Sequence, residues 1–338
     1  MATEVAMARK RAYGTKEMSL TAIILAAGRS TRMKSRRPKP LHEICGKPML
    51  GYILDACYGA GCDRILVVVG HGKEQIISHF GDDSRIAWVE QAEQLGTGHA
   101  ARMCEPELKA RGGDVLILAG DLPLIRGQVL KGLVTAHRQD HAAASMATAM
   151  IDDPSGYGRI IRDAAGEFVE IIEHIDCTPG QREIREVFPS LYCLRTDDLL
   201  FALSKLTTDN KKGEYYLTDI YAILRRAGKK ITAVQAATAE DVVAPNTRQQ
   251  LAEADLIMQE RIQRDLRDQG VGIVSSSNTY IEADVSIGVD TLIQPFVFIG
   301  RQASIGPDCV IGPFASVPRQ AIVPEGSIIT GNSSLQTA

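Results

Sequence analysis

The chain of 338 residues contains no run of 18 apolar residues, and its first 19 positions carry no apolar segment. Neither a membrane span nor a secretory leader is therefore expected. Its seven cysteines (45, 57, 62, 104, 177, 193 and 309) form no C-x-x-C pair and no metal-ligand cluster with histidine. That usage is typical of reduced cytosolic proteins, so a cytoplasmic location without structural zinc is expected. A net charge of -3 with 23% charged residues provides no global basic field, which argues against a nucleic-acid partner and for small ones. Two phosphate-binding motifs are also missing. No G-x-x-x-x-G-K-[ST] occurs, and G-x-G-x-x-G fails because Ser30 stands where the second glycine belongs.

A phosphate-binding loop of another kind is present between Ile23 and Leu41. The apolar run from Ile23 to Ala27 breaks at Gly28 into small, polar and basic residues, as a buried strand does when it ends against an anion. Gly28, Ser30 and Thr31 leave room for backbone N–H groups, while Arg29, Arg32, Lys34, Arg36, Arg37 and Lys39 crowd positive charge beside them. Lys39 lies between Pro38 and Pro40, which stiffen the backbone that presents its amine. An ordinary basic surface loop is the plainer reading of the same residues.

Beyond the loop, strand, turn and helix alternate, which argues for parallel strands with crossover helices. Pro48 suits the first turn of a helix to Gly59, and Ile65–Val69 reads as the next strand, ending in Gly70-His71-Gly72. His71 reads as a turn residue rather than a catalytic one. The polar stretch Gln91–Ala100, with glycines at 96 and 98, precedes a helix beginning near His99 and offers backbone donors and a side-chain amide. Asp121 ends the apolar strand Val115–Ala119, where it could cap the next helix or present a hard oxygen to Mg²⁺. Gly158 reads as a turn glycine, Glu173 falls at strand spacing, and Asn246 suits the cap of a charged helix reaching Asp268.

These motifs together resemble the sugar nucleotidyltransferases, whose signature is L-x-x-G-x-G-T-R-M followed by P-K. In detail they are similar to the bacterial N-acetylglucosamine-1-phosphate uridyltransferases. Q-A-E-Q-L-G-T-G-H-A, G-D-x-P-L, D-D-P-x-G-Y-G-R-I and the N-x-R at Asn246 each have a counterpart there. The resemblance covers Thr21 to Thr330 and implies a Rossmann-like α/β domain with a mixed, mostly parallel sheet. It implies catalytic roles for Arg32 and Lys39, and substrate contacts from Leu25, Ala26, Ala27, Gly28, Gln91, Gly96, Thr97, Gly158, Glu173 and Asn246. Gln91 and the Gly96 backbone would face uracil. Asp121 and Asn246 would hold Mg²⁺. The implied reaction is uridylyl transfer from UTP to N-acetylglucosamine 1-phosphate, releasing pyrophosphate; a different sugar 1-phosphate, or a non-catalytic subunit of the same fold, is the alternative. Ser30, Ala119 and above all Phe188 depart from the pattern. Phe188 replaces an asparagine that contacts the acetylated sugar in the family, and would either stack on the sugar or fill a core position.

From Ile281 the sequence repeats every six residues: Ile281, Ile287, Ile293, Ile299, Ile305, Ile311, Val317, Val323 and Ile329. This is the hexapeptide signature of a parallel β-helix, and the resemblance implies the left-handed kind. So short a stack needs further burial, against the long helix or against copies of itself, so a homo-oligomer is expected and the resemblance suggests a trimer. In the family a longer β-helix carries acetyl transfer, which needs a base, usually histidine. All seven histidines precede the repeat, so that second activity is not expected of this chain. The expected organisation is a disordered tail (1–19), a nucleotidyltransferase domain (20–245), a linker helix (246–268) and the short β-helix (269–338).

Overall fold

Leu20–Leu25 forms the central strand, β1, and its residues Ala22, Ile23 and Ile24 are wholly inaccessible to solvent. The computed structural model describes residues 19–28, 31–81 and 83–331; expectations for the first 18 residues and for Arg29 and Ser30 lie outside the described residues. β1 runs parallel to both its neighbours, β4 (Arg64–Val69) and β6 (Asp114–Ala119), and β5 (Ile86–Glu90) extends the sheet beyond β4. These strands are apolar throughout because helices cover both faces. Helices α1 (Met49–Gly59) and α5 (Gly127–Gln139) bury Leu50, Ile53, Leu130 and Leu133 on one face, where Ile76 of α2 (Lys73–Phe80) joins them. On the other face lie α3 (Thr97–Arg102), α4 (Glu105–Arg111), α6 (Thr196–Leu203) and α7 (Asp219–Arg226).

The chain passes from β1 outward through β4 to β5, then returns to place β6 on the opposite side of β1. Such a reversal leaves a crevice at the carboxyl ends of the two adjoining strands, which is where open α/β sheets bind ligands. Beyond β6 the sheet continues through β11 (Leu191–Arg195) to β7 (Ala144–Met150), which β12 (Ile231–Ala237) joins in parallel. The far edge is β10 (Glu186–Phe188), β8 (Gly158–Arg162) and β9 (Phe168–Ile172). The sheet is mixed, as expected: β5, β4, β1 and β6 run parallel, as do β7 and β12, while β8 to β11 make the antiparallel pairings.

The hexapeptide repeat folds as a stack of short parallel strands that fits a β-helix. Ile281 pairs with Ile299 and Ile299 with Val317; Ile287, Ile305 and Val323 form a second column, and Ile293, Ile311 and Ile329 a third. All nine side chains point into one core with Ala303, Cys309, Ala315 and Ala321. At its corners the backbone enters the left-handed region every six residues, at Asp284, Asp290, Phe296, Gln302, Asp308, Phe314 and Gln320. The aliphatic periodicity predicted the columns but not these turns.

Helix α8 (Arg248–Asp268) joins the two parts. Ala254 and Met258 pack against Ile44, Cys45, Met49 and Leu124, while Leu266 enters the β-helix core. The amide of Gln259 bonds the backbone of Ile281 in both directions, Nε2 donating to O at 2.6 Å and Oε1 accepting from N at 3.1 Å. A small hairpin, β2 (Glu43–Ile44) with β3 (Lys47–Pro48), completes the clasp. Lys47 Nζ donates to Asp284 at 2.8 Å, Ala283 N to Cys45 O at 2.8 Å, and Arg319 forms a bidentate pair with Glu282. Burial alone would push Glu282 up, but the hydrogen bonds from Arg319 and the Arg301 N–H hold its carboxyl below the usual range.

At the centre of this clasp Gly46 has φ +71°, and a Cβ there would lie 2.4 Å from the Glu282 carboxyl. Gly46→Ala should therefore cost about 2 kcal/mol from the left-handed backbone and the displaced carboxylate together, read as a lower urea midpoint. An unchanged midpoint would show that the clasp contributes nothing to stability.

Candidate active site

The crevice between β1 and β6 is a cleft of about 410 Å³. One wall is the chain leaving β1, Leu25, Ala26, Ala27 and Gly28, and its floor is Ala119-Gly120-Asp121 at the end of β6. Gln91, Gly96 and Thr97 close one side, and Glu173 the other. Nine expected substrate or metal residues thus line one cavity, and the expected lysine joins them.

Lys39 is 7% exposed, held in a tight turn between Pro38 and Pro40. Pro38 is extended (φ -55°, ψ 140°), and Gly72 packs so closely beneath it that a Cβ would sit 2.6 Å from its ring. Of the glycines around the exposed His71, Gly72 therefore serves the lysine support and Gly70 packs against Ala27 and Gln91, consistent with a structural turn. From this turn Lys39 Nζ donates to Asp121 Oδ2 at 2.6 Å and to Asn246 Oδ1 at 2.8 Å. Asn246 Oδ1 also accepts from Arg32 Nη2 at 2.9 Å. Arg37 turns away to pair with Glu43, so the basic loop divides between site and surface.

Asn246 is not the cap of α8. Thr247 takes that place, its side chain accepting from Gln250 N, while Asn246 Nδ2 donates to Ala244 O and directs its oxygen at the lysine. Asp121 likewise points to Lys39 instead of capping a helix. The two expected metal ligands therefore converge on one cation already, the ammonium group. A carboxylate and an amide oxygen are hard donors suited to Mg²⁺, which commonly takes one or two protein oxygens and completes its shell with phosphates and water. The donor set fits that ion.

On the opposite side, Gln91 Nε2 donates to Gly96 O at 3.0 Å and lies 3.1 Å from His99 Nδ1. Gly96 has φ +107°, and a Cβ would come within 2.6 Å of Tyr215 O, so only glycine fits. The helix opens at Thr97, two residues before the expected start, and the Thr97 hydroxyl accepts from Leu217 N at 3.0 Å instead of facing only the cleft. Glu173 accepts from Thr218 Oγ1 at 3.4 Å, and burial pushes its carboxyl up from the usual value. Gly158 stands behind it, where a Cβ would strike Ile171 at 2.8 Å. It shapes the wall without lining the cleft.

Phe188 fills a core position. It is buried edge-on against Tyr192 (4.8 Å between ring centres) and Tyr221 (5.9 Å), and only Tyr192 reaches the cleft. Several lining residues carry no separate signal in the sequence: Gln94, whose amide donates to Ala27 O at 2.9 Å, Ser190, Glu214 and Thr218. Ser190 has φ +60°, a strained setting of the kind that gathers at functional sites. Gln94 lies inside the Q-A-E-Q-L-G motif, so its polarity next to two glycines was the available clue.

Residues 22–269 match the family model described as the MobA-like NTP transferase domain. The chain belongs to this family. Among curated relatives it is 44% identical over 279 residues to the "Bifunctional protein GlmU" of Pelotomaculum thermopropionicum, covering 82% of this chain and 61% of that protein. It is 42% identical to the protein of that name from Heliobacterium modesticaldum, covering 82% and 60%. The chain thus spans about three fifths of the length of the curated relatives it matches. A solved UDP-glucose pyrophosphorylase complexed with UDP-glucose superposes with a TM-score of 0.60 at 19% identity, covering 72% of this chain and 100% of that one. At that identity the likeness establishes the nucleotidyltransferase fold. Among the described residues no helix is long and apolar enough to cross a membrane.

The expected Mg²⁺ ligand Asn246 and its neighbour Thr247 divide the expected site from the scaffold. Thr247→Ala should cost about 1 kcal/mol of stability through the lost cap and leave Mg²⁺-nucleotide affinity unchanged. Asn246→Ala should lower that affinity at least tenfold and move the unfolding midpoint little. Calorimetric titration with denaturant unfolding checks both, and equal effects on binding would contradict the division of roles.

Proposed function

We propose that the protein transfers a uridylyl group from UTP to N-acetylglucosamine 1-phosphate, with Mg²⁺, giving UDP-N-acetylglucosamine and pyrophosphate. The convergence of Lys39, Asp121, Asn246 and Arg32 at the end of β6 is the observation that carries this reading. Similarity to proteins named GlmU and the family's nucleotidyl transfer chemistry support the sugar acceptor. The acceptor's phosphate oxygen attacks the α-phosphorus of UTP, a bond forms there, and the α–β bridging bond breaks with its electrons leaving on pyrophosphate. The attacking oxygen is already an anion, so no general base is required, and the work of the site is positioning and charge compensation. Lys39 and Arg32 would hold the triphosphate and meet the charge that develops on it. Asp121 and Asn246 would hold Mg²⁺, which supplies further neutralisation of phosphate charge when bound. Gln91 and the Gly96 backbone would read the base, and Glu173 would accept from sugar hydroxyls.

The burial of Phe188 favours a second reading, a different sugar 1-phosphate as acceptor. With that side chain in the core, no side chain at position 188 is on hand to meet an acetamido group, and that contact would fall to other lining residues such as Ser190 and Thr218. A site that loses an amide contact discriminates less against analogues lacking the matching group.

The proposed domain division places the catalytic unit in 20–245, the linker helix in 246–268 and a left-handed β-helix after it; the six-residue spacing and the three columns of parallel strands support the β-helix. We further propose a homotrimer located in the cytoplasm. Leu292, Phe298, Phe314, Ile322 and Ile328 expose apolar side chains along the β-helix, more than a solvated monomer favours. Light scattering at micromolar concentration should give about three times the 36.6 kDa chain mass, and a monomer would refute the oligomer.

The decisive assay is pyrophosphate release with UTP, Mg²⁺ and N-acetylglucosamine 1-phosphate. Release should require all three, and Lys39→Ala should lower kcat by roughly 10² to 10³, the usual effect of removing one transition-state contact. No release with this acceptor but release with another sugar phosphate would establish the second reading, and an effect of Lys39→Ala below threefold would remove Lys39 from the mechanism.

A further inference from the structure

Gln91 is 4% exposed, and its side chain is fixed by two neighbours. Gly96 O can only accept, so the amide nitrogen and not its oxygen must face it, at 3.0 Å. The same nitrogen lies 3.1 Å from His99 Nδ1. A hydrogen bond across that distance requires Nδ1 to be the acceptor, so its lone pair must be free and the imidazole proton must sit on Nε2. Both amide hydrogens are then committed, and Oε1 is left as the group Gln91 can offer to the cleft it lines. His99 is itself held: it is half-buried on α3, its ring stacks on Tyr215 with centres 6.5 Å apart, and the Arg102 guanidinium lies over the same tyrosine ring at 4.6 Å.

We propose that His99 is a positioning residue that sets the hydrogen-bond polarity of the base-reading amide. With Oε1 outward, Gln91 accepts from a pyrimidine that carries a proton on its N3 and opposes one that presents a lone pair there. Uracil is the first kind and cytosine the second. The two bases have nearly the same shape, so the discrimination must come from polarity, and an amide free to rotate by half a turn would supply none. Gly96 O alone holds one amide hydrogen; His99 holds the other and doubles the penalty for reversal. This inference rests on the reading of Gln91 as the base contact.

The test measures affinity for UTP and CTP with Mg²⁺ by calorimetry, which does not depend on the acceptor sugar. His99→Leu should lower the UTP-to-CTP preference about three- to tenfold, the usual weight of one hydrogen bond. His99→Asn, whose Oδ1 can accept near the place of Nδ1, should restore most of it. Long-range ¹H–¹⁵N spectra of the full chain should find His99 protonated on Nε2 and bare on Nδ1. A proton on Nδ1, or an unchanged preference in His99→Leu while Gln91→Ala abolishes it, would overturn the role of His99. If Gln91→Ala also leaves the preference intact, the reading of Gln91 fails and the proposal with it.

Discussion

A lysine ammonium held between two oxygens, from Asp121 and Asn246, is the contact on which the rest of this structure depends. Its partners lie 82 and 207 residues away in the chain. Each therefore has to be delivered by a different piece of the fold: a proline-braced turn, the end of a buried strand, and the residue before a long helix. The ammonium is buried, but Asp121 is 30% exposed and opens on the cleft, so these oxygens position the charge for the site more than they hold the domain together. The two hard oxygens that suit the ammonium also suit a divalent cation, while the ammonium itself suits a polyphosphate.

Placement of that contact at β1 and β6 follows from topology. The chain reverses direction across the sheet there, so the loops after the two strands diverge and leave room between them. The loop after β1 presents backbone, and the loop after β6 presents a carboxylate. Glycine stands where the chain must approach a neighbour closely: Gly96 against the backbone of Tyr215 and Gly72 against the ring of Pro38. Neither could be replaced without moving a segment that carries residues of the cleft.

Much of this was legible in the sequence because it is local. The apolar runs of β1, β4 and β6 and the six-residue aliphatic spacing each report on their own neighbourhood, and the structure places them as read; the tight turn that Lys39 opens was not read, because a residue before proline favours extended backbone. What escaped the sequence is non-local. Thr247 and Asn246 are both good caps, and only the position of Lys39 decides which one is free. Phe188 could face sugar or core, and its two tyrosine neighbours, from β11 and α7, decide for the core. Which strands of the mixed sheet run antiparallel was not legible for a similar reason. Short β-branched segments do not announce the direction of their partners, which loop lengths and packing select.

The β-helix is part of the same logic rather than an appendage. It touches the hairpin Glu43–Pro48, which follows directly on the Lys39 turn, through Asp284 and Ala283 of its first coil and Arg319 of its third. Helix α8 begins beside Asn246 and ends in the β-helix core. Two of the three segments that meet at the ammonium group are therefore anchored, a few residues on, by the coil stack. A loss of the stack would release the hairpin and the far end of α8 together, loosening the Lys39 turn and the Asn246 position while leaving β6 and Asp121 intact. The coil stack thus has a structural reason to accompany the cleft, one that requires no chemistry of its own.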